Sequence, residues 1–78
     1  DERLLQSHLS LIFALFITWA KSGYPESFKI TRREIMMIAK IGSISTYHRC
    51  INELVRFHYI GYYPSFDHFE GTKVCFKI

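Results

Sequence analysis

The sequence predicts a single α+β domain over residues 1–78, in which three helices and a short strand are followed by a two-stranded hairpin. Three observations predict it. Apolar residues recur at helical spacing over 2–21, 32–40 and 44–57. Thr31 and Ser43 stand where the second and third of these patterns begin, and each can cap the first free amides of a helix. The segments 59–63 and 72–78 are strand-like, and in the second Val74, Phe76 and Ile78 alternate with Lys73, Cys75 and Lys77, as in a sheet with one face on a core.

In the first helix, expected over 2–21, a stripe of Leu5, Leu9, Ile12, Phe13, Phe16, Trp19 and Ala20 has the spacing of a core face, and Gly23 supplies a stop. Leu4, Leu11, Leu15 and Ile17 extend beyond that stripe, so the helix is apolar on nearly all sides. A small domain cannot cover such a helix alone. The expectation is therefore a homodimer formed through this helix, with Leu4, Leu11 and Leu15 at its interface, or else cover from another part of a longer chain. A membrane span is a poor fit, because the 17 residues from Leu4 to Ala20 meet only the lower limit of length and are interrupted by Gln6, Ser7, His8, Ser10 and Thr18.

Tyr24-Pro25-Glu26-Ser27 reads as a turn and Phe28-Lys29-Ile30 as a three-residue strand. Thr31-Arg32-Arg33-Glu34 has the form of a capping box opening a short helix to about Lys40, which buries Ile35, Ile38 and Ala39. A tight turn at Ile41-Gly42-Ser43 leads to the next helix, capped by Ser43 with Thr46 three residues on and running to about Phe57. On a wheel centred on Tyr47, Ile51, Leu54 and His58 fall within about 40°, while Ser45, Arg49, Asn52 and Arg56 cluster opposite. That polar face contains donors suited to phosphates and base edges and no carboxylate. Pro64 to Gly71 forms a loop before the last strand.

Hydrophobic residues make up 49% of the chain, aromatic residues 17% and charged residues 22%, a composition that excludes disorder and suits a dense small core. The net charge is +3, and its distribution is uneven: residues 29–58 carry +4, residues 1–28 carry −1 and residues 59–78 are neutral. Cys50 and Cys75 lack metal-ligand spacing and are expected to be free thiols in a reducing, cytoplasmic setting. No nucleophile constellation, metal-binding His spacing or glycine-rich phosphate loop is present, so no enzyme activity, cofactor or metal is expected. With no initiator Met and an end at Lys77-Ile78 within a strand pattern, the chain is expected to be a domain excised from a longer protein.

The element order, with Ile38-Ala39-Lys40-Ile41-Gly42-Ser43-Ile44-Ser45-Thr46-Tyr47-His48-Arg49 followed by Leu54 and Tyr59-Ile60, resembles the winged helix-turn-helix superfamily of DNA-binding domains over residues 28–78. The resemblance implies a helix-turn-helix at 31–57 and a wing at 59–78, with the second helix of the pair entering the major groove of double-stranded DNA. It implies that Ser43 caps this recognition helix and that Ser45, Thr46, His48, Arg49 and Asn52 form its exposed N-terminal half. One position departs from the family: His58 holds the place, before the wing, where a Gly in left-handed conformation is usual.

Arg49 is the foremost candidate for base contact, since a guanidinium pairs with the O6 and N7 of guanine, and Asn52 could pair with adenine. Ser43, Arg32, Arg33, Lys40, Arg56, Lys73 and Lys77 are candidates for DNA-backbone contact. The function expected is sequence-specific binding of duplex DNA, within a bacterial-type transcription regulator or a replication or excision protein of a mobile element. The alternative is a winged helix used for protein docking or dimerisation, with Phe66, Phe69 and the open side of the first helix as its interface.

Overall fold

The computed structural model describes residues 2–64 and 71–77; the loop residues Phe66 and Phe69 named above, and Ile78, lie outside the described residues. The elements follow as α1 (Gln6–Lys21), β1 (Phe28–Ile30), α2 (Arg32–Ala39), α3 (Ile44–Arg56), β2 (Ile60–Tyr63) and β3 (Thr72–Phe76). The three strands form one antiparallel sheet in the order β1-β3-β2. The chain is thus a small α+β domain of three helices and a three-stranded antiparallel sheet among the described residues.

Each helix starts and stops for a local reason. Thr31 accepts a hydrogen bond from the Glu34 amide at 3.2 Å, and Ser43 accepts one from the Thr46 amide at 3.3 Å, so both caps form at the expected residues. α1 ends where Gly23 takes φ 88°, a left-handed turn that glycine adopts without cost. The turn between α2 and α3 is different from the expected one. Its left-handed residue is Lys40, at φ 58°, whose amide donates back to the Met36 and Met37 carbonyls, and Gly42 does not supply the turn. His58 does take the left-handed conformation, at φ 66°, in the place the resemblance assigned to it. Each of these residues carries a side chain into that region at a cost of about 1 kcal/mol.

The register pairs Phe28 and Tyr62 with Val74, Ile30 with Thr72 and Ile60 with Phe76, which puts one face of the sheet on the core. Phe28, Ile30, Ile60 and Val74 are buried there with Ile35 and Ala39 of α2 and Tyr47, Cys50, Ile51 and Leu54 of α3. α1 supplies Leu11, Ala14 and Leu15, each with no exposed surface. This corrects the reading of α1. Leu11 and Leu15 belong to the core of a single chain, where a second copy cannot reach them, and Leu4 is half-buried against the same core. Four residues of the stripe expected to face inward, Leu5, Leu9, Phe13 and Phe16, are instead exposed. A helix apolar on two sides offers two faces of similar hydrophobicity, and packing against α2 and α3 selects the one with the smaller Ala14.

Among the described residues, no helix is long and apolar enough to cross a membrane. Both cysteines are free; Cys50 is buried and its thiol lies 3.4 Å from the Ser7 hydroxyl, while Cys75 is half-buried.

Candidate nucleic-acid interface

α3 is held from beneath by Tyr47, Cys50, Ile51 and Leu54, all within the core, and this fixes which side chains it turns outward. Ser45, His48, Arg49, Asn52 and Arg56 are exposed, and Thr46 is half-buried. Helical periodicity makes these outward residues one continuous surface. At its N-terminal end the Ser43 and Ser45 hydroxyls are 3.0 Å apart, so the pair shares a hydrogen bond while Ser43 also caps the helix. His48 stands edge-on to the buried Tyr47 ring at 5.3 Å between centroids. At the C-terminal end the Arg56 guanidinium lies 5.9 Å from the Phe57 ring centroid, and Arg3 lies over the same ring at 4.3 Å.

One feature of this surface departs from the sequence reading. The polar face is not free of carboxylates, because Glu53 lies one turn beyond Arg49 and its Oε1 is 3.6 Å from the Arg49 Nε. Glu53 is itself held from α1. The same Oε1 accepts a hydrogen bond at 3.1 Å from Nε2 of His8, a residue with only 1% of its surface exposed. The other ring nitrogen, Nδ1, accepts from the Leu5 amide at 2.8 Å, which places the imidazole proton on Nε2. His8 therefore closes the N-terminus of α1 and orients Glu53, and Glu53 orients Arg49. The spacing from 49 to 53 is the helical i, i+4 signal that could have found the second contact; nothing in the sequence joins residues 8 and 53.

Arg32 and Arg33 are exposed in the first turn of α2. With Met36, Met37 and Ile41 they line a shallow groove whose far wall is Ile44, the first residue of α3, so these two cations border the start of the candidate recognition helix. Cations at a helix N-terminus oppose the helix dipole, by about 0.3–1 kcal/mol each at exposed sites. Lys40 is exposed beside them at the α2–α3 turn. Beneath, burial together with the Tyr62 hydroxyl pushes the Tyr47 phenol well above its ordinary range, with Arg32 acting in the opposite direction. Tyr47 is a structural residue: its hydroxyl is buried beside that of Tyr62 and makes no hydrogen bond of good geometry among the described residues.

Lys73 belongs to β3 and Lys77 follows it, so both stand on the sheet and not on α3. By strand alternation Lys73 leaves the sheet on the side away from the core, opposite Lys29 across the β1–β3 ladder. Lys77 lies on that side as well, over Gly61, where a Cβ would come within 3.1 Å of the Lys77 Cε and 2.8 Å of both the Cys75 Sγ and the Tyr63 hydroxyl oxygen. A side chain at 61 would therefore require Cys75, Tyr63 and Lys77 to shift, which glycine avoids. Lys29 is the residue missed by sequence reasoning here, since only the β1–β3 pairing puts it with Lys73. Among the described residues no group of His, Cys, Asp and Glu could hold a metal ion.

No protein-family model, curated protein or solved structure matches the chain.

Proposed function

We propose that the domain binds double-stranded DNA with the outward face of α3 in the major groove, as a winged helix-turn-helix module. One observation carries the reading: a helix fully buried on one side presents Ser45, His48, Arg49, Asn52 and Arg56 together on the other. An α-helix fits the major groove, and this set combines a guanidinium and an amide that can pair with guanine and adenine edges with hydroxyls that reach phosphates. The element order and the β1-β3-β2 sheet support the same reading.

The flanking cations have the complementary role. Arg32, Arg33 and Lys40 border the N-terminal end of α3 and Arg56 its C-terminal end, at the two places where a duplex backbone would rise beside a helix in the groove. Placing two arginines on the positive end of α2 works against the helix, as expected of residues kept for an anionic partner. In the free protein Glu53 neutralises and holds Arg49; on DNA the guanidinium exchanges part of that contact for a base edge. Lys73 and Lys77 provide a second cationic surface on the sheet for backbone outside the groove.

The test is selection of binding sites from random duplexes, followed by titration of the selected and a scrambled duplex with the wild-type domain and Arg49→Ala. The expected result is a preferred sequence for the wild type and none for Arg49→Ala. Equal preference in both proteins would remove α3 from the interface.

A further inference from the structure

α1 uses one apolar stripe and presents another. Leu11, Ala14 and Leu15 are buried, and on the opposite side Leu5, Leu9, Phe13 and Phe16 are 53%, 55%, 62% and 50% exposed. At 100° per residue these four fall within about 80° of one another and form one band along the helix. The band continues past Phe16 to Trp19, 5.6 Å away between ring centroids, and on to Tyr24, 62% exposed and 5.0 Å from Trp19. These rings border a groove of about 830 Å³ that Ile12 and Phe76 also line.

We infer that this band is the docking surface for a second copy of the chain, paired with α1 antiparallel to its partner. The area supports a copy as the occupant. The four side chains and Tyr24 leave on the order of 600 Å² exposed per chain, so two copies can bury up to about 1,200 Å² through them, which reaches the lower end of stable protein interfaces. Charge agrees, because from Leu4 to Ala20 there is no Asp, Glu, Lys or Arg, and two such surfaces meet without like-charge repulsion.

The order of the side chains sets the direction. An antiparallel two-fold pair that brings Leu9 of one copy to Phe13 of the other also brings Leu5 to Phe16, so each contact joins a small residue to a large one. A parallel pair would put Phe on Phe and Leu on Leu, leaving gaps at one level and clashes at the next. Antiparallel pairing therefore fills the interface. The inference stands apart from DNA binding, since it uses none of the α3 residues.

The experiment is sedimentation velocity of the wild type and Phe13→Glu up to millimolar concentration, with circular dichroism as the check on folding. Phe13 is exposed, so the variant retains the monomer fold, and association should weaken at least about 100-fold because one charge is desolvated in each half of the interface. Direction is read from Leu5→Cys and Phe16→Cys, each in a Cys75→Ser background, with a short thiol-to-thiol crosslinker. The mixture of the two variants should crosslink and neither alone should, because like positions would be about 17 Å apart along the helix. A wild type that stays monomeric, or a Phe13→Glu protein that associates as the wild type does, overturns the interface; crosslinking of Leu5→Cys alone overturns the antiparallel arrangement.

Discussion

α1 and α3 bury one face each in the same core, and what they leave outside differs in kind. α3 exposes Arg49, Asn52, Arg56, His48 and Ser45, while α1 exposes Leu5, Leu9, Phe13 and Phe16. Surfaces so different suit partners of different chemistry. Attraction of an anionic partner to the α3 face would depend on charge and fall with salt, whereas docking on the α1 face would gain by removing apolar area from water and be nearly indifferent to salt. His8 joins the two, since it belongs to α1 and fixes Glu53 on α3.

Substitutions on the two sides of α1 should differ most in their effect. Leu15→Ala should lower unfolding stability by about 2–5 kcal/mol through loss of buried contacts and a residual cavity. Leu9→Ala, on the outer stripe, should leave the stability of the monomer within about 0.5 kcal/mol of wild type. Urea unfolding at low protein concentration separates them, and equal losses would mean that both stripes are covered within one chain.

On α3 the next effect is that of Arg49→Ala, which should cost about 1–3 kcal/mol of discrimination between a selected duplex and a random one, with non-specific affinity nearly unchanged. Competition binding at fixed salt measures it. Arg56→Ala or Arg32→Ala should weaken binding to all sequences alike and reduce the salt slope by about 1. A changed sequence preference with an unaltered slope would place these residues on base edges.

Beneath the surface, Tyr47→Phe removes a buried hydroxyl that makes no hydrogen bond of good geometry among the described residues and should leave stability unchanged or raise it by about 1 kcal/mol. The smallest change is expected from His58→Gly, where relief of the left-handed backbone, offset by the greater freedom of the unfolded chain, should give a net gain below about 1 kcal/mol. Thermal unfolding of each variant against wild type checks both signs, and destabilisation by Tyr47→Phe would mean that its hydroxyl is bonded in solution.

The legibility of the sequence follows from the same contrast. In α3 the apolar and polar residues lie on separate faces, so the wheel gave both the buried Tyr47, Ile51 and Leu54 and the exposed Arg49 and Asn52. The caps at Thr31 and Ser43 were readable because their partners are local, at three residues' distance. The alternation of β3 gave the buried Val74 and the exposed Lys73. α1 failed the same method because an apolar residue stands at nearly every angle, and which stripe turns inward depends on the shape of α2 and α3. Long-range relations were equally hidden. Nothing local tells that Lys29 faces Lys73, that His8 reaches Glu53, or that Lys40 takes the left-handed turn while Gly42 stands two residues on.

The claim that α3 is the DNA-facing surface is tested most directly by titrating a duplex with the domain across a series of salt concentrations, wild type beside Arg49→Ala. With α3 in the groove, log K falls linearly and steeply with log salt for both proteins, with nearly equal slopes, and only the wild type binds its selected duplex more tightly than a random one. Affinity that does not change with salt, or a site preference that survives in Arg49→Ala, would contradict it.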